Sequence, residues 1–245
     1  MEGPLVKIIA ETLTELKGKR VISTSGTAKI EKEIIEGKEI KDIFNRGKNL
    51  FIKFPSLSIK LHFLMAGSYR LNEEKEGAIP KLSLIFNKGV FNFYGGIVKI
   101  INNNEMEKAY DEEVDVNSEK WNSEKVLRLT LQKKNKLICD VLLDQNIFAG
   151  VGNIIKNEAL YMAKIHPLSI VEKIPEERLK KLIFKTREFS ILFYKAIKNG
   201  EKFGTYFKIY GKNQCPHCKE KVMKEKTGKT KRISFFCPSN QFLYA

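Results

Sequence analysis

The stretch that most constrains this chain is residues 142–167, LLDQNIFAGVGNIIKNEALYMAKIHP, where a glycine turn, Ala149-Gly150-Val151-Gly152, separates two segments of helical spacing. Leu142, Leu143 and Ile147 recur before the turn, and Ile154, Ile155, Ala159, Leu160 and Met162 after it. Two glycines so close together let the backbone take positive φ and approach a partner closely. Asn153 is expected as the N-cap of the second helix, with Glu158 in the turns that follow and an apolar face behind. A helix start directs unpaired N–H groups and partial positive charge outward, which suits a phosphate oxygen. The plain alternative is an ordinary helix–turn–helix inside an α-rich core.

The flanking texture divides the chain. Residues 4–17 carry Leu5, Ile8, Ile9, Leu13 and Leu16 at helical spacing, with Pro4 near a first helical position. Between 20 and 101 the pattern shortens to β-like runs at 21–24, 50–54, 57–64, 82–86, 90–94 and 97–101, punctuated by Gly, Asn and Lys. Such closely spaced runs predict a β-sandwich or barrel. The acidic segment 102–117 reads as a connector. Helical spacing returns at 118–136, in the opening stretch, and at 175–199, which begins Pro175-Glu176-Glu177 and stops before Gly200.

From Tyr206 the chain is rich in Cys and Lys. Cys215-Pro216-His217-Cys218 is a knuckle in which two thiolates can face one ion, and Cys237 follows after a lysine-rich hairpin. A fourth ligand would fall at Asn240, a poor zinc donor, and His217 sits inside the knuckle. Zinc held by Cys215, Cys218 and Cys237 with a weak or external fourth ligand is the leading reading, a zinc-free hairpin the alternative. Lone Cys139 reads as buried core, and His62 and His166 as structural.

Charge narrows the partner. Lys and Arg number 44 against 29 Asp and Glu, a net +15, which favours a polyanion through counterion release. No apolar run approaches the ~20 residues of a membrane span, and Met1-Glu2 does not open a signal peptide. A cytoplasmic, monomeric protein with no membrane partner is expected.

Taken together and in order, these pieces resemble the formamidopyrimidine-DNA glycosylase and endonuclease VIII family of base-excision repair enzymes. They are Met1-Glu2-Gly3-Pro4, Arg46-Gly47-Lys48-Asn49-Leu50, His62-Phe63-Leu64-Met65-Ala66-Gly67-Ser68, Leu142-Leu143-Asp144-Gln145, Gly150-Val151-Gly152-Asn153-Ile154, Asn157-Glu158-Ala159-Leu160, Ile165-His166-Pro167, Tyr210-Gly211, the knuckle, and Arg232-Ile233-Ser234-Phe235-Phe236-Cys237. The resemblance implies an α+β multidomain protein: an N-terminal β-sandwich with an N-terminal helix (1–115), a helix–two-turn–helix domain (116–205) and a C-terminal zinc-finger-like β-hairpin (206–245), with damaged double-stranded DNA in the cleft between domains. It also implies a glycosylase and abasic-site lyase. In such enzymes the N-terminal amine attacks C1′, releases the base, forms a Schiff base, and the strand is cut by elimination. By the same resemblance Glu2 is the proton-shuttling carboxylate and Lys48 the cation near the reacting sugar. Asn153 and Arg232 are then phosphate grips, and Met65 the wedge that fills the gap left by an extruded base.

The chain departs from that pattern at its start. Met1 stands where the family places a proline, so a primary α-amine, titrating near ~7.7–8.0, takes the nucleophile's position. Leu5 replaces a customary acid. A catalytically impaired relative that only binds damaged or abasic-site DNA is the alternative. Phe93-Tyr94-Gly95-Gly96-Ile97-Val98 lacks the arginine and phenylalanine of the purine-specific branch, and segment 200–208 is short. Both place the chain nearer the endonuclease VIII branch and oxidised pyrimidines.

Overall fold

The computed structural model describes residues 1–108 and 110–245; Ala109, in the expected connector, lies outside the described residues. The chain forms two compact units, one of Met1 and Val6–Tyr110, the other of Glu2–Leu5 and Asp111–Ala245.

The first unit is a β-sandwich. Its strands are β1 (Ser23–Ser25), β2 (Asp42–Arg46), β3 (Asn49–Lys53), β4 (Leu57–His62), β5 (Ser68–Leu71), β6 (Leu82–Ile85), β7 (Val90–Tyr94) and β8 (Ile97–Asn102). Two antiparallel sheets, ordered β1-β6-β7-β5 and β2-β3-β4-β8, enclose Leu50, Ile52, Ile59, Leu61, Phe63, Phe91 and Phe93. Helix α1 (Gly3–Leu13) contributes Val6, Ile9, Ala10 and Leu13 to the same core. Strands β2 and β5 escape the hydropathy pattern because β2 buries only Ile43 and β5 buries no residue fully. Their backbones pair along neighbouring strands, which supplies what side-chain burial does not. The expected connector is partly helical: α2 (Asn103–Lys108) forms with Met106 as its buried anchor.

In the second unit, α3 (Ser123–Leu131), α4 (Ile138–Val141), α5 (Asn153–Ala163) and α6 (Glu176–Lys198) pack around Leu142, Phe148, Ile155, Leu160 and Leu182. The hairpin of β9 (Met223–Thr227) and β10 (Arg232–Phe236) belongs to this unit. Two local expectations are corrected. Residues 142–148 are turns rather than a helix, because Asp144 accepts the Asn146 N–H through Oδ1 at 3.0 Å and diverts the backbone. The N-cap of α5 is Gly152, and Asn153 is the first helical residue. Cys139 is buried, and that burial pushes its thiol pKa up. His166 packs edge-on against Phe236 with centroids 4.4 Å apart, a structural role. Among the described residues no helix is long and apolar enough to cross a membrane.

Candidate functional site

In the sandwich unit, Lys48 occupies the two-residue turn between β2 and β3, where Gly47 takes φ +55°. Pairing of β3 with β4 sets Asn49 opposite His62, and His62 Nδ1 lies 3.0 Å from Asn49 Oδ1. The β4–β5 connection then turns sharply: Gly67 donates its N–H to Phe63 O at 2.8 Å, and a Cβ on Gly67 would fall 2.2 Å from that oxygen. Met65 stands out of this turn 81% exposed, so it is not a core residue. Beside it, the Met1 amine donates to Leu64 O at 2.8 Å.

Burial, followed by the positive fields of Lys48, the N-terminal ammonium and Lys60, holds the His62 pKa below its ordinary 6.5. His62 is therefore neutral at pH 7 and stands within electrostatic reach of both the amine and Lys48. From the sequence alone His62 reads as structural. The β3–β4 register is what brings it to the Lys48 turn, and no local motif carries that register. A neutral imidazole, a lysine, a chain-terminal amine and an exposed apolar side chain thus collect at one end of the sandwich.

The second unit holds Glu2, only 7% exposed. Glu2 Oε1 accepts the Ile154 N–H at 2.7 Å, and Oε2 accepts those of Gly152 and Ile155, each at 3.2 Å. The start of α5, expected to face a phosphate, thus receives a carboxylate of its own chain in the free protein. The glycine turn explains how it fits. A Cβ on Gly152 would lie 2.4 Å from Glu2 Cγ and Cδ, and a Cβ on Gly3 would lie 2.7 Å from Gly150 Cα. Gly3 donates its N–H to Gly150 O at 2.8 Å, closing the approach.

Asn153 turns toward the hairpin, donating from Nδ2 to Ile233 O at 2.9 Å. Lys156 and Asn157 donate to the same carbonyl at 3.4 and 3.3 Å, and Phe235 N–H returns a bond to Asn157 Oδ1 at 2.8 Å. Three side chains of α5 therefore fix β10 at the residue after Arg232, which is exposed at the strand's first position. Glu158, fully buried, accepts the N–H groups of Lys208, Ile209 and Tyr210 and anchors the approach to the hairpin.

Lys156 is wholly buried, with Nζ 2.9 Å from Ser234 Oγ. Its burial, aided by Arg232 and opposed by Cys139, Asp140 and Glu2, lowers its pKa to about 8. The unfolded chain holds this proton more tightly than the folded one, so the cost of burying the charge is fully present below pH 8 and is relieved as pH rises toward the unfolded value. Urea unfolding of the wild type and Lys156→Met should therefore diverge in the wild type's favour between about pH 7.5 and about pH 10, by up to about 3 kcal/mol. Parallel curves would contradict a buried, shifted lysine.

Cys215, Cys218 and Cys237 bring their sulfurs within 4.8 Å of one another, and Cys215 and Cys237 are buried. Burial raises the Cys215 thiol, but the Tyr161 hydroxyl at 3.3 Å and the N–H groups of Cys218 and His217 outweigh it and bring its pKa to about 7. Sulfurs met by N–H groups in a knuckle fit a metal-thiolate centre. Without a metal, burial and then the neighbouring Cys218 and Cys215 thiols push the Cys237 thiol up to about 12, and the main-chain N–H of Asn240, at the position of a fourth ligand, only partly offsets them. The three cysteines can hold a metal ion.

Residues 2–96 match the family described as "Formamidopyrimidine-DNA glycosylase N-terminal domain", and residues 114–206 match "Formamidopyrimidine-DNA glycosylase H2TH domain". The chain is 31% identical to the formamidopyrimidine-DNA glycosylase of Cytobacillus firmus over 274 residues, covering 98% of this chain and 99% of that one. It is 34% identical to mouse endonuclease 8-like 3 over 201 residues, covering 80% of this chain and 33% of that one. The chain thus spans about a third of the length of the endonuclease 8-like 3 relatives from mouse, cattle and Xenopus laevis. Among solved structures, the Lactococcus lactis Fpg protein in complex with abasic-site DNA superposes with a TM-score of 0.86 at 25% identity, over 99% of this chain and 100% of that one. A viral DNA glycosylase shares the fold with a TM-score of 0.87 at 23% identity, over 99% of this chain and 100% of that one.

Proposed function

Because this chain belongs to the formamidopyrimidine-DNA glycosylase and endonuclease VIII family, we propose that it is a bifunctional DNA glycosylase and abasic-site lyase acting on oxidised bases, pyrimidines foremost, in duplex DNA. The observation that carries the reading is the tethered chain start. The Met1 amine is held at 2.8 Å by Leu64 O, next to the turn that exposes Met65 and within reach of His62, which also feels Lys48. In this reading the neutral amine attacks C1′ of the damaged nucleotide, the base departs with a proton, and the resulting imine permits elimination of the 3′ phosphate. Glu2 moves protons at the opening sugar ring, its carboxylate oriented by three main-chain N–H groups. Lys48 and His62 bind the phosphate beside the reacting sugar. Met65 enters the base stack, and Asn153 and Arg232 hold the backbone from the helical turn and the hairpin.

The working division is catalytic (1–115), helix–two-turn–helix (116–205) and finger (206–245), acting as a monomer on damaged double-stranded DNA. The pyrimidine preference is supported by the shortness of segment 200–208, which is pinned at Phe203 by stacking on Phe193 with centroids 3.8 Å apart. Thymine glycol and 5-hydroxyuracil duplexes should be cut faster than 8-oxoguanine opposite C, and the reverse order would overturn that preference. Structural zinc is proposed at Cys215, Cys218 and Cys237. The purified protein should carry one equivalent, and Cys237→Ser should lose the metal together with most of its DNA affinity.

Borohydride trapping on an abasic-site duplex tests the central claim. A covalent adduct mapped by mass spectrometry to Met1 is expected, with Lys48→Ala trapping about a hundredfold more slowly while retaining its fold. Tight binding without any adduct would instead establish a non-catalytic DNA-binding protein.

A further inference from the structure

The wedge turn and the amine meet through one peptide group, and that group has an unusual conformation. Leu64 takes φ +53°, a left-handed backbone that leucine rarely adopts. Both ends of the turn are fixed. Phe63 is fully buried with its ring edge-on to Phe93, centroids 5.1 Å apart. Gly67 closes the turn onto Phe63 O, and a Cβ on Gly96 would fall 2.4 Å from His62 O, so the strand end is boxed in. Between these anchors Leu64 and Met65 are 48% and 81% exposed, and solvent burial does not explain why leucine is held in a left-handed state. The consequence of that state is the direction of its carbonyl, which accepts from the Met1 amine 63 residues away in sequence.

We propose that Leu64 is a positioning residue for the nucleophile: its left-handed backbone aims its carbonyl at the Met1 amine, so that the turn presenting the wedge also sets the amine's direction. This rests on the reading of Met1 as nucleophile. A carbonyl suits the task better than a carboxylate. It accepts an N–H from the ammonium and from the neutral amine alike, and in the neutral form the bond turns the lone pair away from Leu64 O. A carboxylate would favour the charged, unreactive form far more strongly. Because Met65 is the next residue, force on the wedge reaches the amine's acceptor through a single peptide unit.

Two substitutions at Leu64 separate backbone from side chain. Leu64→Val disfavours the left-handed state through β-branching, whereas Leu64→Asn tolerates it, and both keep Met65. Single-turnover borohydride trapping is followed against pH on a single-stranded abasic-site oligonucleotide, which has no duplex stack for the wedge to enter. Binding to a tetrahydrofuran-containing duplex is measured in parallel. Leu64→Val should trap about tenfold more slowly, with its pH midpoint moved downward because an acceptor favouring the ammonium is lost, while the duplex Kd changes less than about threefold. Leu64→Asn should restore both rate and midpoint. His62, which feels the amine together with Lys48 and Lys60, is untouched in both variants, as are those lysines and Glu2, the next residue in the chain. Should Leu64→Val not fold, replacing Met65 by its α-hydroxy acid converts the Leu64 carbonyl into a weaker ester acceptor, and the same slowing is expected. Wild-type rate and midpoint in Leu64→Val, or Leu64→Asn as slow as Leu64→Val, would overturn the proposal. An untrappable wild type would instead overturn the assignment of Met1 and this inference with it.

Discussion

Glu2→Gln should slow base excision by about a thousandfold while the protein stays folded. The side chains are nearly isosteric, so the loss separates chemistry from packing. In the wild type both carboxylate oxygens are acceptors, Oε1 for Ile154 and Oε2 for Gly152 and Ile155. An amide cannot match this: whichever way it is turned, its NH2 group meets at least one main-chain N–H. The stability cost is therefore about 1–2 kcal/mol, that of one or two unmade buried bonds. The larger kinetic loss is expected from the proposed role of Glu2, in which its carboxylate carries the proton. Single-turnover excision and urea unfolding on the same preparation check the two magnitudes. A Glu2→Gln protein with near-normal excision would remove Glu2 from the chemistry and leave it a helix cap.

Gly152→Ala should be nearly as damaging, for a reason that lies wholly in the Glu2 pocket. Gly152 has φ −117° and ψ −161°, extended backbone open to any residue, so the substitution carries no backbone strain. Its added Cβ, however, would sit 2.4 Å from Glu2 Cγ and Cδ and 2.6 Å from Oε1. The carboxylate has to leave its three N–H donors. A loss of about 3 kcal/mol in stability and about a hundredfold in excision is expected. The decisive comparison is the double-mutant cycle. In a Glu2→Ala background the clashing atoms are gone, and Gly152→Ala should then cost almost nothing. Additive costs would show that the glycine serves something other than Glu2.

These pairs mark how far local pattern reaches. A compact, almost wholly buried run and a long amphipathic one are both legible: the β7 run coincides with its prediction, and the 175–199 pattern becomes α6 at Glu176–Lys198. Strands β2 and β5 were not, because they bury too little to leave a period-two signature and exist by pairing with neighbours. Helix α5 is buried on nearly all sides, so its polar residues Lys156, Asn157 and Glu158 are internal ties to β10 and to residues 208–210, which residue type alone does not reveal.

The cysteine knuckle, the basic hairpin, the glycine turn and the Met1-Glu2-Gly3-Pro4 start could all be read from residue identity and spacing, since each depends on neighbours a few positions away. Partners far apart in the chain could not. The Glu2 carboxylate fills the start of α5, His62 joins Lys48 through the β3–β4 register, and Leu64 holds the Met1 amine. Each of these contacts joins groups whose sequence separation carries no local signal. They are set by strand register and by glycines at which a Cβ would collide, and those become specific only once the backbone has closed around them.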